Sequence, residues 1–228
     1  MFKNCDIKIG KRYIYVFDKR FSSYMQTKMM NDCEQRFLEL VNTIDLTSCS
    51  WKRPYYLFET IEEKEEVSGQ AYDGMIKCRI RLNHEGEMPM VHEEAHMVLY
   101  QNLGQMSYAW SEGFAEYMVA KRSNEIDLLS GKYGDYLKLD YRSNIESIIY
   151  SLTHEDREFF NQLRWNNIFY SMSLASIIFY IESELGKDQL KYIESLIRSG
   201  LYDKLGNFIS KKVIYQWLNW IEHNKIHP

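Results

Sequence analysis

Three spacings of apolar residues run along this 228-residue chain. Tyr13-Ile14-Tyr15-Val16-Phe17 is an aromatic and β-branched run bounded by charges, and it predicts a strand. After Ser22-Ser23, which can cap, Met25, Met29, Cys33, Phe37, Val41 and Ile44 recur at mostly four-residue intervals. They predict an amphipathic helix packed on a sheet, its methionines and cysteine serving as core filler. Tyr55-Tyr56-Leu57-Phe58 predicts a second strand, and the acidic run from Glu62 to Glu66, opened by Thr60-x-x-Glu63, a short solvated helix. Ile76, Cys78, Ile80 and Leu82 then alternate with Lys77, Arg79 and Arg81, which predicts a strand with one buried and one basic face.

Pro89 suits the first turn of a following helix. Beyond Ser123 the period is helical throughout. Arg164 to Leu185 is apolar on nearly all faces but falls short of the ~20 apolar residues of a membrane span, so it predicts a buried helix that Gly186 ends. Leu190, Ile193, Leu196 and Ile197 mark the next helix, and Ile214, Trp217, Leu218 and Ile221 the last.

Composition bounds this picture without redirecting it. With 45% hydrophobic and 15% aromatic residues the chain can bury a sizeable core. A net charge of −4 and a pI near 5.9 give no overall basic character, so neither nucleic acid nor a membrane is expected as partner. The N-terminus lacks the apolar core of a secretory signal, which makes a cytoplasmic location the expectation. Cys5, Cys33, Cys49 and Cys78 contain no C-x-x-C pair and are expected as thiols.

The chemistry concentrates in Val91-His92-Glu93-Glu94-Ala95-His96-Met97 and Trp110-Ser111-Glu112-Gly113-Phe114-Ala115-Glu116-Tyr117. On a helix of about 3.6 residues per turn, His92 and His96 lie one above the other and present both imidazoles to one point. Glu93 lies beside that face, where its carboxylate can reach a water at the metal rather than the metal itself, the position of a general base. Catalytic zinc takes three protein ligands, and Glu112, sixteen positions after His96, can supply the third. That interval leaves room for the first helix to end near Gly104 and a second to begin at Ser111 as N-cap. Glu116, one turn on, can hold the free N–H of a ligand histidine. His223 and His227 are also four apart, but no third donor accompanies them, and His84 and His154 have no partner at ligand spacing.

HEEAH followed by W-S-E-G-F-A-E-Y resembles the gluzincin metallopeptidases, and more closely the peptidase-MA-like group. The resemblance implies one zinc per chain on His92, His96 and Glu112, with Glu93 as base and a peptide or protein as substrate. It is specific in these two segments and looser over the rest of the chain. It departs at Glu94, where the family more often has an apolar residue. The basic-faced strand corresponds, by resemblance, to the family's edge strand, along which an extended peptide can add. The same alternation also suits a solvent face whose cations block edge pairing. Gluzincins supply a transition-state donor from a tyrosine or histidine downstream of the third ligand. Tyr170, Tyr180, Tyr117 and His154 are candidates, with Tyr170 favoured by its place near the start of the buried helix. Tyr170 is equally one of 18 tyrosines that can fill a core.

The expectation is therefore an α+β fold over 1–228 as one zincin-like domain. A small, mostly antiparallel sheet with one long helix occupies 1–88, and the active-site helices and a helical lobe occupy 89–228. The function expected is zinc-dependent peptide hydrolysis. A binding module that keeps the fold without turnover, or a zinc hydrolase of a non-peptide amide, are the alternatives.

Overall fold

The computed structural model describes residues 4–44, 52–59, 67–72, 75–81, 90–129, 141–154, 158–159, 161–162 and 170–224. The chain is α+β and divides into two compact units, Met1–Asn102 and Leu103–Pro228. The predicted helix over the acidic run, Pro89, Leu82, Cys49, His84 and His227 lie outside the described residues.

The first unit contains strands β1 (Cys5–Ile9), β2 (Tyr13–Asp18), β3 (Arg53–Glu59), β4 (Val67–Tyr72) and β5 (Met75–Ile80). Helix α1 (Ser23–Thr43) lies between β2 and β3, and helix α2 begins at Val91 and ends at Leu103. The strands form one sheet in the order β1-β2-β3-β5-β4. The outer pairings, β1 with β2 and β4 with β5, are antiparallel; the inner ones, β2 with β3 and β3 with β5, are parallel. The sheet is thus evenly mixed where a mostly antiparallel one was expected. A strand followed by a crossover helix returns parallel to itself, and α1 is that crossover between β2 and β3.

α1 forms as its spacing predicts. Ser22 caps it, its Oγ accepting from the Met25 amide at 3.2 Å, and Met29, Cys33, Phe37, Leu40 and Val41 are buried. The matching sheet face carries Tyr13, Tyr15, Phe17, Tyr55, Leu57, Ile76, Cys78 and Ile80, all buried, with Tyr13 edge-on to Phe37 at 5.8 Å. Arg36 is buried on the same stripe of α1, an exception to the apolar pattern.

β5 has the expected alternation, Lys77 and Arg79 exposed and Ile76, Cys78 and Ile80 buried. It is not the edge strand, however: β4 lies outside it. β4 reads Val-Ser-Gly-Gln-Ala-Tyr, with little apolar alternation to betray it, because backbone pairing to β5 is enough to hold an edge strand.

In the second unit α3 (Tyr108–Arg122) is followed by α4 (Ile126–Leu129), α5 (Tyr141–Thr153) and α6 (Tyr170–Tyr180). α6 continues into a π-helical turn over Ile181–Leu185; then come α7 (Lys187–Arg198), α8 (Tyr202–Phe208) and α9 (Lys211–Asn224). Gly186, at φ +96°, ends the π turn, as the sequence indicates. α6 is the buried helix of this unit. Its Ser176 donates to the Leu129 carbonyl at 2.6 Å and accepts from the Trp217 indole at 3.0 Å, so this buried hydroxyl is satisfied inside the core. The predicted apolar faces of α7 and α9 are buried at Leu190, Ile193, Leu196, Ile197, Ile214, Trp217, Leu218 and Ile221. No helix among the described residues is long and apolar enough to cross a membrane. Cys5, Cys33 and Cys78 are free thiols.

Candidate metal centre

α2 carries the two histidines on one face, as their spacing requires. His92 Nε2 and His96 Nε2 lie 3.0 Å apart, and the two rings stand edge to face with centroids 4.6 Å apart. α2 ends at Leu103, followed by Gly104 at φ +80°, the left-handed conformation in which a helix commonly terminates. α3 begins at Tyr108 with Ser107 at the capping position, three residues earlier than the predicted start at Ser111. Trp110 is therefore inside the helix, and Glu112 falls in its second turn.

The ligating atoms of His92, His96 and Glu112 all lie within 4.8 Å of one another. Glu112 is buried, while both histidines are half-buried. Two imidazole nitrogens on one tetrahedral ion, at bond lengths near 2.0–2.1 Å, stand about 3.3 Å apart, close to the observed separation of the histidine nitrogens. The donor set fits a divalent transition metal: imidazole and carboxylate together suit zinc and its neighbours in the series. Three protein donors are also the number that leaves a coordination position for water or substrate. The group can hold a metal ion.

Glu93 is half-buried beside the pair, and its Oε2 accepts a hydrogen bond from the backbone amide of Ala71 on β4. The edge strand of the sheet thus orients the candidate base. This contact involves a backbone group of an unpatterned strand, and no side-chain signal marks it in the sequence.

On the opposite side of α2, Glu94 is completely buried. Its Oε2 accepts from Arg36 Nε at 2.7 Å, and its Oε1 accepts from Arg36 Nη2 at 2.7 Å and from the Tyr55 hydroxyl at 2.9 Å. Burial lowers the affinity of the Arg36 guanidinium for its proton, but its bonds to Glu94 and the charge of that carboxylate more than reverse this, and the net shift is upward. Burial, followed by the nearby charges of Cys33 and Glu94, raises the Tyr55 hydroxyl. Burial and then Glu94 push the Cys78 thiol up to about 12. A cation at position 36, in register with Met29, Cys33 and Leu40 on the buried stripe, was the available sequence signal for this cluster.

α3 is fixed by close packing. A Cβ at Gly113 would stand 2.8 Å from Leu174 Cβ and 3.2 Å from Ile178 Cδ1, so only glycine lets α3 approach α6 this closely. Trp110 is fully buried and donates to the Leu152 carbonyl at the end of α5 at 2.7 Å. The glycine and tryptophan around Glu112 are accounted for by packing. Glu116 lies one turn after Glu112 and is half-buried.

Of the tyrosine and histidine candidates, Tyr170 is the first residue of α6, and its side chain lies outside the described residues. The Tyr117 hydroxyl donates to Glu182 in the π turn and accepts from Lys121 Nζ at 3.0 Å, which commits it to a local network. Tyr180 is buried, near the ring of Trp220. His154 is exposed, its Nδ1 2.8 Å from Thr153 Oγ1 and its ring stacked on Tyr150, and His223 is likewise exposed with Nδ1 2.6 Å from the Asn219 carbonyl oxygen.

No protein-family model, no curated protein and no solved structure matches the chain.

Proposed function

We propose that this protein is a zinc-dependent metallopeptidase. The observation that carries the reading is the convergence of His92, His96 and Glu112 within 4.8 Å, with the carboxylate of Glu93 next to His92 on the same helix. A scaffold without turnover could use this carboxylate only for its bond to the Ala71 amide, whereas a hydrolase needs one in that place to move a proton. Zinc held by these three side chains would lower the pKa of water toward ~7 and polarise a carbonyl. Glu93 takes the water's proton as the nucleophile forms. With Oε2 held by the Ala71 amide, its other oxygen is the one to accept. It then passes that proton to the departing amine, so one carboxylate serves as base and acid and no acyl-enzyme forms.

Glu116 is proposed to hold a ligand histidine through its free ring N–H, and Tyr170 to donate to the developing oxyanion. The substrate class that follows is a peptide or protein, acted on by a protein carrying one zinc per chain.

The test is metal analysis joined to a peptide-library digest read by mass spectrometry, with and without chelator. Wild-type protein is expected to carry or take up one zinc and to cleave. Glu93→Gln is expected to keep the metal and lose cleavage, because the amide has nearly the same shape and cannot accept the proton. Protein that takes up no metal at neutral pH refutes the proposal. Metal-loaded wild type that cleaves no peptide refutes the peptidase reading and leaves the scaffold or the non-peptide hydrolase.

A further inference from the structure

Helix α2 displays two neighbouring carboxylates with different surroundings. Glu93 accepts from the amide of Ala71 on β4, and Glu94 is engaged through both oxygens by Arg36 of α1 and Tyr55 of β3. Successive residues of a helix are rotated by about 100°, so these bonds tie α2 down in different directions around its axis. A rotation of the helix, or a slide along its length, breaks them together. Apolar packing alone is more permissive, since a smooth side chain tolerates displacements that a two-pronged hydrogen bond does not.

The Arg36–Glu94 pair is also poorly suited to be a stability device. Both side chains are about completely buried, at 1% and 0% exposure, among Tyr13, Cys33, Tyr55 and Cys78. Taking two charges out of water consumes much of what their attraction returns, and well-packed apolar residues of similar volume commonly do as well or better. What such residues cannot supply is a fixed rotational setting. His92 and His96 flank Glu94 on the same helix, two residues before and two after it, and both their ring nitrogens and the Glu93 carboxylate must be aimed to a fraction of an ångström for chemistry.

We propose that Arg36 and Tyr55 are positioning residues: by gripping Glu94 they set the rotation of α2 and thereby aim His92, His96 and Glu93. The inference rests on reading those three residues as a metallohydrolase site. It assigns Glu94, Arg36 and Tyr55 a role exerted through the helix, with no contact to metal or substrate.

The experiment uses the whole protein and reads cobalt(II) binding by absorption, independently of turnover, alongside the thermal midpoint. In the double variant Arg36→Met with Glu94→Leu, the ion pair is replaced by apolar side chains of similar bulk, and in Tyr55→Phe a single hydroxyl is removed. The double variant is expected to keep a thermal midpoint near that of wild type while its cobalt affinity falls by about 10–100-fold, the range for groups that orient metal ligands. Tyr55→Phe is expected to lower affinity by several-fold with its helical circular dichroism unchanged. A folded double variant that binds cobalt within twofold of wild type overturns the inference. If the double variant does not fold, Tyr55→Phe decides alone, and wild-type affinity in that variant overturns it. Wild-type protein that binds no cobalt is a separate result: it refutes the metal site itself, and the positioning role falls with it.

Discussion

The two helices that carry the candidate ligands are held within their own units by different physics. α2, with His92 and His96, is tied by directional polar bonds: Arg36 and Tyr55 on Glu94, and the Ala71 amide on Glu93. α3, with Glu112, is set by steric fit, through Gly113 against Leu174 and Ile178 and through the buried Trp110. The difference follows from what each helix packs on. α2 is held where tyrosine hydroxyls, thiols and a guanidinium are interleaved with apolar groups, so its burial brings polar partners that have to be matched. α3 lies on α6, where Leu174, Ala175, Ile177 and Ile178 are all buried, and along that contact shape specifies its position, with polar bonds from Trp110 and Tyr117 added to either side of it. A polar latch specifies angle; a glycine contact specifies distance.

The comparison is tested most severely by removing the ligands. His96→Ala on α2 and Glu112→Ala on α3 are each expected to abolish stoichiometric metal binding, since each removes one of three protein donors. Glu116→Ala should cost only about 10–100-fold in affinity. Equilibrium dialysis against zinc checks all three, and equal losses from Glu112→Ala and Glu116→Ala would leave the donor on α3 undetermined.

Next in size is Arg36→Met alone. It leaves the Glu94 carboxylate buried without its countercharge, and a loss of about 3–5 kcal/mol in denaturant unfolding is expected. The paired change at Glu94 should recover most of it. A single variant as stable as wild type would show that the latch on α2 is not polar in effect.

Gly113→Ala addresses the steric side. Its Cβ needs room that Leu174 occupies at 2.8 Å, so a destabilisation of about 1–3 kcal/mol is expected. Leu174→Gly in the same chain removes the Cβ in contact and should make the pair less destabilising than the sum of the two single changes. Two changes that simply add would place the effect elsewhere.

A further prediction concerns pH dependence and is read at Cys78, beside Glu94. The Cys78 thiol has its ordinary value of 9.0 raised to about 12, chiefly by burial and then by Glu94. Above pH 9 the unfolded chain loses this proton while the folded chain retains it, so the folded state binds more protons and loses stability as pH rises. The contribution is complete below pH 9 and disappears progressively toward pH 12. Thermal midpoints measured across that window should fall, and Cys78→Ala should flatten the slope. Below pH 9 the thiol should resist alkylating reagents, because burial keeps it protonated and covered.

Where an element could be read from the chain, its own residues carried the period. α1, β5, α7 and α9 each bury a face that repeats every 3.6 or every two residues, and that repeat is visible wherever one side meets a core. β1 and β4 escaped because an edge strand is held by its backbone. The N-terminus of α3 was misplaced because Ser111, the expected cap, lies inside the helix, and Ser107, four positions earlier, holds the capping position without a side-chain hydrogen bond that would mark it.

The candidate centre divides along the same line. His92, Glu93 and His96 were legible because helix geometry alone fixes the relation of residues one and four apart. That Glu112 joins them was only an expectation from spacing and resemblance, since two helices and a link separate it from His92. The fates of Glu94 and Arg36 were decided by the tertiary structure. In isolation each is a charged residue on a helix, for which solvent is the ordinary destination, and a buried pair exists only once the fold has brought together side chains 58 positions apart. The order of the sheet was settled in the same way, because pairing β5 with β3 on one side and β4 on the other depends on backbone bonds that every residue except proline can make, and no side chain along the chain encodes which strand will receive them.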